Sequence, residues 1–287
     1  MTGRETLHST DIGRIRELAR QIRRDSIRMV VQAGSGHVGG PLAAAELLAT
    51  LYAAVLRNPH GPVGTVPRDR FILSNGHICA GWYSVLSHFG YLQRQELSTH
   101  RRFGSRLQGH PSRRKWQDIV ETSSGPLGQG LSVANGLALA DRYLGVEGRI
   151  FCLMGDGELQ EGQVWEAAMT AAHYRIGKMC LVVSYNDVQI DGRVHAVKDI
   201  APLGTKFAAF GWRAVEVDGH DVEALLEAFR AIPDDREQPV AVIAHTVMGK
   251  GVPFMEGEPK WHGSAPSEEE TEKALSCLGE SSMFEDY

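Results

Sequence analysis

Nowhere in this sequence do eighteen apolar residues run together, so no stretch has the length that a membrane-spanning helix needs. The first residues carry no apolar signal core, and a cytoplasmic protein is the expectation. Cysteine is scarce. Cys79, Cys152, Cys180 and Cys277 show no paired spacing of a metal or disulfide framework. Cys152 and Cys180 fall inside apolar runs, where a thiol acts as a small core side chain in a reducing compartment. A basic excess is also missing: 30 Lys and Arg stand against 35 Asp and Glu, a net charge of −5. Nucleic acid therefore has no electrostatic case as a partner. There is no internal repeat, and the single biased stretch is the acidic start Ser267-Glu268-Glu269-Glu270.

What is present reads as a globular α/β protein. Of 287 residues 43% are hydrophobic and 23% charged, ample for one large or two small domains. Apolar residues at helical spacing predict a helix over Thr10–Ala33, a second over Leu42–Leu56 with Pro41 in its first turn, and others over Ile78–His88, Leu131–Tyr143 and Gln163–Ile176. Short apolar runs predict strands at Arg70–Leu73, Arg149–Met154 and Met179–Val183. Residues 58–69 form a Pro/Gly-rich connection, and Trp116 reads as packing. Strands alternating with helices imply a mostly parallel sheet flanked by helices, with ligands expected at the carboxyl edge of the strands.

Two of those strand ends carry oxygen. Gly155-Asp156-Gly157 follows one strand, and Tyr185-Asn186-Asp187-Val188 follows the next. Glycines on both sides of Asp156 let backbone approach a bulky anion closely. The Asp156 carboxylate, the Asn186 amide oxygen and the Val188 carbonyl would make a hard-oxygen half-shell suited to Mg²⁺, with phosphate oxygens and water completing it. A lone Gly-Asp-Gly would more simply be a capped turn. The Asn thirty positions on favours the metal reading, and that spacing is the motif of thiamine diphosphate enzymes.

Polar loops gather around the same edge. His37 stands among four glycines in Gly34–Pro41, where a ligand role and an ordinary polar turn are equally open. His77 sits at a helix start after Ser74-Asn75-Gly76, a position suited to phosphate. His110 lies in Gln108-Gly109-His110-Pro111. The turn Gly125-Pro126-Leu127-Gly128-Gln129-Gly130 opens a helix but lacks the Lys of a nucleoside triphosphate loop.

These motifs, with GDGELQEG at 155–162, NDVQIDG at 186–192, TVMGKG at 246–251 and HGSAP at 262–266, occur in one order. Together they resemble the N-terminal half of transketolase over about residues 12–280. The resemblance implies one thiamine diphosphate-binding domain over residues 1–287, with a C-terminal extension at 253–287 that carries the HGSAP loop. It implies thiamine diphosphate and Mg²⁺ (or Ca²⁺ or Mn²⁺), the metal being held by Asp156, Asn186 and Val188. His77, Gly155, Asp156, Gly157, Asn186 and the Gly125-Pro126-Leu127 turn would contact the cofactor. His37 and His262 match histidines that face both cofactor phosphate and sugar, and His110 one that faces substrate. Glu161 matches the carboxylate between two cofactor sites. His195 and His220 match no motif and read as surface or structural.

Three positions depart from the family: Val38 replaces a usual Pro, Asp187 a frequent Gly, and Met248 a frequent Lys. Asp187 either adds a carboxylate near the metal or faces solvent. The pyrimidine-binding and C-terminal parts of a full transketolase have no counterpart in these 287 residues. The resemblance therefore implies a split enzyme. A companion chain would dock on an apolar face around Leu127, Leu131 and the Trp165 helix, giving two copies of each chain. The reaction implied is transfer of a two-carbon ketol unit from a ketose, free or phosphorylated, to an aldose. An alpha chain of a 2-oxo acid dehydrogenase and a non-catalytic cofactor-binding half are the alternatives.

Overall fold

In the computed structural model, residues 9–61, 67–232 and 237–287 are described. Part of the expected 58–69 connection, residues 62–66, falls outside them. The chain begins with helix α1 (Ile12–Ala33), capped by the Asp11 side chain and ended by Gly34 in the left-handed conformation. The expected Leu42–Leu56 helix is not one piece. It is α2 (Gly39–Ala43), α3 (Ala45–Thr50) and a π-helical turn at Leu51–Val55. The path breaks at Ala44, whose backbone is not helical (φ −91°, ψ 8°), and every residue of α2 and α3 is buried. Tertiary packing, rather than helical periodicity, sets this path.

Strand β1 (Arg70–Leu73) leads through a 3₁₀ turn at Gly76–Ile78 to α4 (Cys79–His88). Then come α5 (Gly130–Leu144), β2 (Ile150–Gly155), α6 (Gly162–His173) and β3 (Met179–Tyr185). A small hairpin, β4 (Val188–Gln189) with β5 (Gly192–Arg193), precedes α7 (Val194–Lys198) and α8 (Leu203–Ala209). The remainder is β6 (Arg213–Asp218), α9 (Val222–Arg230), β7 (Val240–His245) and α10 (Glu268–Leu278), the last lying against α1.

Five strands form one parallel sheet in the order β1-β2-β3-β7-β6. Residues 150–154 and 179–184 are buried throughout, as befits strands covered by helices on both faces. One face packs on α1, α3, α4 and α9 residues such as Ile22, Leu48, Trp82 and Phe229. The other packs on α5, α6 and α8 residues such as Leu131, Val164 and Phe207. Cys79, Cys152 and Cys180 are buried, free thiols. Trp116 is buried, with the Arg106 guanidinium 4.3 Å from its ring centre. No described helix is long and apolar enough to cross a membrane.

Candidate functional site

The site follows from strand register. β2 and β3 are neighbours, with Gly155 opposite Ser184, so the residues just past each strand meet at the carboxyl edge. Asp156 leaves β2 and is 2% exposed. Its Oδ1 accepts from the Gly157 N–H at 2.9 Å, and its Oδ2 from the Asp187 N–H. Asn186 leaves β3, and its Oδ1 accepts from the Val188 N–H at 2.9 Å. Burial is the largest influence on Asp156 and pushes its carboxyl up to about 7. A desolvated carboxylate without a cation is an unstable charge, and a bound dication would reverse that cost.

Opposite this oxygen set stand the histidines. His37, His77 and His262 form a triangle with ring centres 5.0, 5.2 and 5.7 Å apart, and His110 lies 6.5 Å from His37. One cleft of about 430 Å³ is lined by all four, with Gly125, Leu127, Gly155, Asp156, Gly157, Glu161, Asn186 and Val188. The structure thus brings together the expected site residues from seven separate loops, Pro126 sitting within the Gly125–Leu127 turn. The His262 Nδ1, the Asn75 Oδ1 and the Ser124 Oγ are buried without a hydrogen-bond partner. Such orphaned groups around a cleft mark places for ligand or water. The donor set fits a magnesium diphosphate: one carboxylate, one amide oxygen, one carbonyl, and glycines where a bulky anion approaches. Among the described residues no three His, Cys, Asp or Glu side chains gather as a metal site.

A larger cavity of about 520 Å³ lies at the opposite, amino ends of β2 and β3. Asp141 there pairs with Arg70, Arg142 donates to the Tyr174 and Arg175 carbonyls, and Arg175 pairs with Glu237. It offers no convergent chemistry.

Glu158 lies inside the GDGELQEG stretch but has no role in the sequence reading. It is 3% exposed. Its carboxylate accepts from the Ser74 hydroxyl, from the Gly128 N–H at 2.9 Å and from the Gly155 N–H at 3.2 Å. One side chain therefore ties the ends of β1 and β2 to the 125–130 turn. Its one sequence signal is its place two residues after Asp156, where an acidic residue reads as ordinary helix-start chemistry.

The departures from the family resolve individually. Asp187 (φ 58°) turns its carboxylate to His195, with Oδ2 2.6 Å from Nδ1, so it neither points at the oxygen set nor stands free in solvent. His195 is exposed, whereas His220 is a structural link between Glu46 (3.0 Å) and the Val247 N–H (2.9 Å). Val38 is fully buried. Met248 is buried against the His37 loop, where a Cβ on Gly39 would lie 2.4 Å from its sulfur. A lysine there would be desolvated. Leu131 is a correction: it is fully buried in the core rather than part of an exposed face. The exposed apolar residues that line the cleft are Leu127 and Ile190.

The buried rings have a consequence for stability. Burial is the first cause of every downward shift: His37 and His100 fall to about 4, and His77, His88, His110 and His262 also lie below their ordinary value. Between about pH 6.5 and 4 the unfolded chain binds more protons at these six rings, so stability falls as pH falls. Asp156 and Glu158, both raised to about 7, work in the opposite sense but number only two. The melting temperature of the ligand-free chain should therefore drop on going from pH 7 to pH 5. A flat or rising profile in calorimetry would contradict neutral, buried rings.

Residues 15–285 match the family described as "Transketolase, thiamine diphosphate binding domain". The chain is 36% identical over 259 residues to one of the named subunits of apulose-4-phosphate transketolase from Phocaeicola vulgatus, covering 90% of this chain and 91% of that protein. It is 36% identical over 261 residues to the 6-deoxy-6-sulfo-D-fructose transketolase subunit SqwG of a Clostridium species, covering 91% and 94%. Among solved structures, transketolase from Leishmania mexicana superimposes with a TM-score of 0.87 at 32% identity, over 95% of this chain and 42% of that one.

Proposed function

This chain belongs to the transketolase thiamine diphosphate-binding domain family, and on that premise we propose that it is the diphosphate-binding half of a transketolase divided between two chains. The observation that carries the reading is the single cleft in which the oxygen set at Asp156, Asn186 and Val188 faces four histidines, each lowered by burial below its ordinary value. Thiamine diphosphate, when bound, would supply a nucleophilic ring carbon and a cationic ring able to hold the electron pair of a two-carbon ketol unit. Asp156, Asn186 and the Val188 carbonyl would hold Mg²⁺, with Ca²⁺ or Mn²⁺ able to substitute. His77 and the Gly125-Pro126-Leu127 turn would meet the diphosphate end, with Gly155 and Gly157 letting backbone come close. His37, His110 and His262 would orient the sugar hydroxyls and move protons at them. Neutral rings suit that task, since each can accept or donate a hydrogen bond near pH 7. Glu161, exposed at the cleft rim, would face the second cofactor site of an assembly with two copies of each chain.

The divided arrangement is supported by the two bacterial relatives named as subunits, which this chain matches nearly end to end, whereas it spans 42% of the solved Leishmania chain. The exposed Leu127 and Ile190 at the cleft mouth offer an apolar rim to a companion.

Reconstitution tests this. Purified chain, a companion pyrimidine-binding chain, thiamine diphosphate and Mg²⁺ are mixed, and ketol transfer from ketose to aldose is assayed. Neither chain alone should turn over, and the mixture should exceed either by roughly a thousandfold, because a cofactor held at one end lacks orientation. Oxidative decarboxylation of a 2-oxo acid would favour the dehydrogenase alternative. Robust transfer by this chain alone would falsify the divided-enzyme reading.

A further inference from the structure

Three histidines of the cleft follow a glycine directly, and two of those pairs, Gly36-His37 and Gly109-His110, share one neighbour. Arg101 lies against both glycines. Its own backbone is left-handed (φ 60°), a conformation that a non-glycine residue keeps only when its surroundings impose it, and its N–H donates to the Leu107 carbonyl at 2.8 Å. The side chain then runs under the His110 loop. A Cβ built on Gly109 would lie 2.5 Å from Arg101 Nε and 2.6 Å from Nη2, so the guanidinium fills the space of the side chain that Gly109 lacks. The same guanidinium donates to the Ser35 hydroxyl at 3.3 Å and sits 3.7 Å from the Cβ position of Gly36. Among the described residues Arg101 makes no ion pair, so its charge is not cancelled where it stands.

We propose that Arg101 is a positioning residue that locks the His37 and His110 loops to each other, through a close approach that only glycine at 109 permits. Its effect on turnover rests on the ketol-transfer reading, but the contact itself does not. The planar fork reaches two loops at once, which a lysine point charge cannot copy. Its uncancelled charge also bears on both rings: after burial, Arg101 is the cause that lowers His110, and for His37 it acts with His262 and His110 in the same direction. Among the described residues the groups facing His37 are thus His77, His110, His262 and Arg101, and the charged group facing His110 is Arg101.

The test compares Arg101→Met with Gly109→Ala, by NMR titration of histidine rings in the full chain. Gly109 has no left-handed backbone, and the atoms an alanine methyl would strike are the far end of a flexible side chain. Gly109→Ala should therefore fold and simply push the guanidinium away. Removing or displacing a positive neighbour raises a base, so His110 and His37 should titrate higher by about half a pH unit in both variants. His88, which faces Asp25 and Arg94, should not move. With the companion present, the KM for the donor ketose should rise about tenfold while cofactor affinity holds. Unchanged His37 and His110 titrations in Gly109→Ala would overturn the proposal, even if Arg101→Met failed to fold. If the titrations move but the wild-type pair shows no ketol transfer, the functional reading fails and the brace stands.

Discussion

Replacing Asp156 with Asn should abolish Mg²⁺-dependent cofactor binding and leave the ligand-free fold nearly intact. Asp156 is the sole carboxylate of the oxygen set, and a hard dication loses its anionic ligand when the side chain becomes neutral. Calorimetry should show the affinity for thiamine diphosphate with Mg²⁺ falling by at least about a hundredfold, since even the partners of metal ligands cost 10–100-fold when lost. The fold should lose little, because the wild-type carboxylate is already out of place without its cation: burial raises it to about 7. One backbone N–H, from Gly157 or Asp187, would face an amide NH₂. That costs about 1–2 kcal/mol, offset by removing a desolvated charge. A second readout separates binding from folding. Saturating cofactor and Mg²⁺ should raise the wild-type melting temperature through linkage and leave the variant unmoved. Unchanged cofactor affinity in the variant would remove Asp156 from the metal site.

The second large effect should come from Glu158, and on stability before binding. Glu158→Ala should unfold more readily by about 3–5 kcal/mol, because the Gly128 and Gly155 N–H groups and the Ser74 hydroxyl lose a shared acceptor inside the protein. In a chain of this size that corresponds to a melting point lower by roughly 10 °C. Cofactor binding should weaken too, since the same carboxylate fixes the 125–130 turn against the end of β2. Glu158→Gln keeps one acceptor oxygen and nearly the same volume, and should recover part of the loss. If Glu158→Ala melts with the wild type, the three donors find other partners and the tie is dispensable.

The two residues show how differently the parts of this site were legible. Asp156 and Asn186 could be read from the chain because strand geometry is local. A buried apolar run has one carboxyl end, and a strand–helix–strand unit of about thirty residues places the next end beside it. Strands β1, β2 and β3 and helices α1, α4, α5 and α6 followed from periodicity in the same way, whereas β6, β7 and the helices from α7 to α10 were not anticipated. Glycine beside each histidine marked loops that approach something closely. The family resemblance rested on the order of those loops.

Other features depended on contacts between distant segments, which no local pattern encodes. Glu158 had no role until folding brought Ser74 and Gly128 to its oxygens. Leu131 looked available to a partner because its helix is apolar on more than one face; only packing decided that Leu131 turns inward while Tyr143 and Leu144 remain outside. The segment from Gly39 to Val55 kept a helical pattern, yet its path was set by burial on both sides. Arg101 was one arginine among many until Gly36 and Gly109 closed on it. The sequence by itself determined which strand ends carry oxygen and nitrogen ligands, because backbone hydrogen bonding and side-chain alternation act over a few residues. The tertiary structure alone decided which polar groups lost water and which partner replaced it. Desolvation and hydrogen-bond pairing depend on everything that surrounds a group, whatever its distance along the chain.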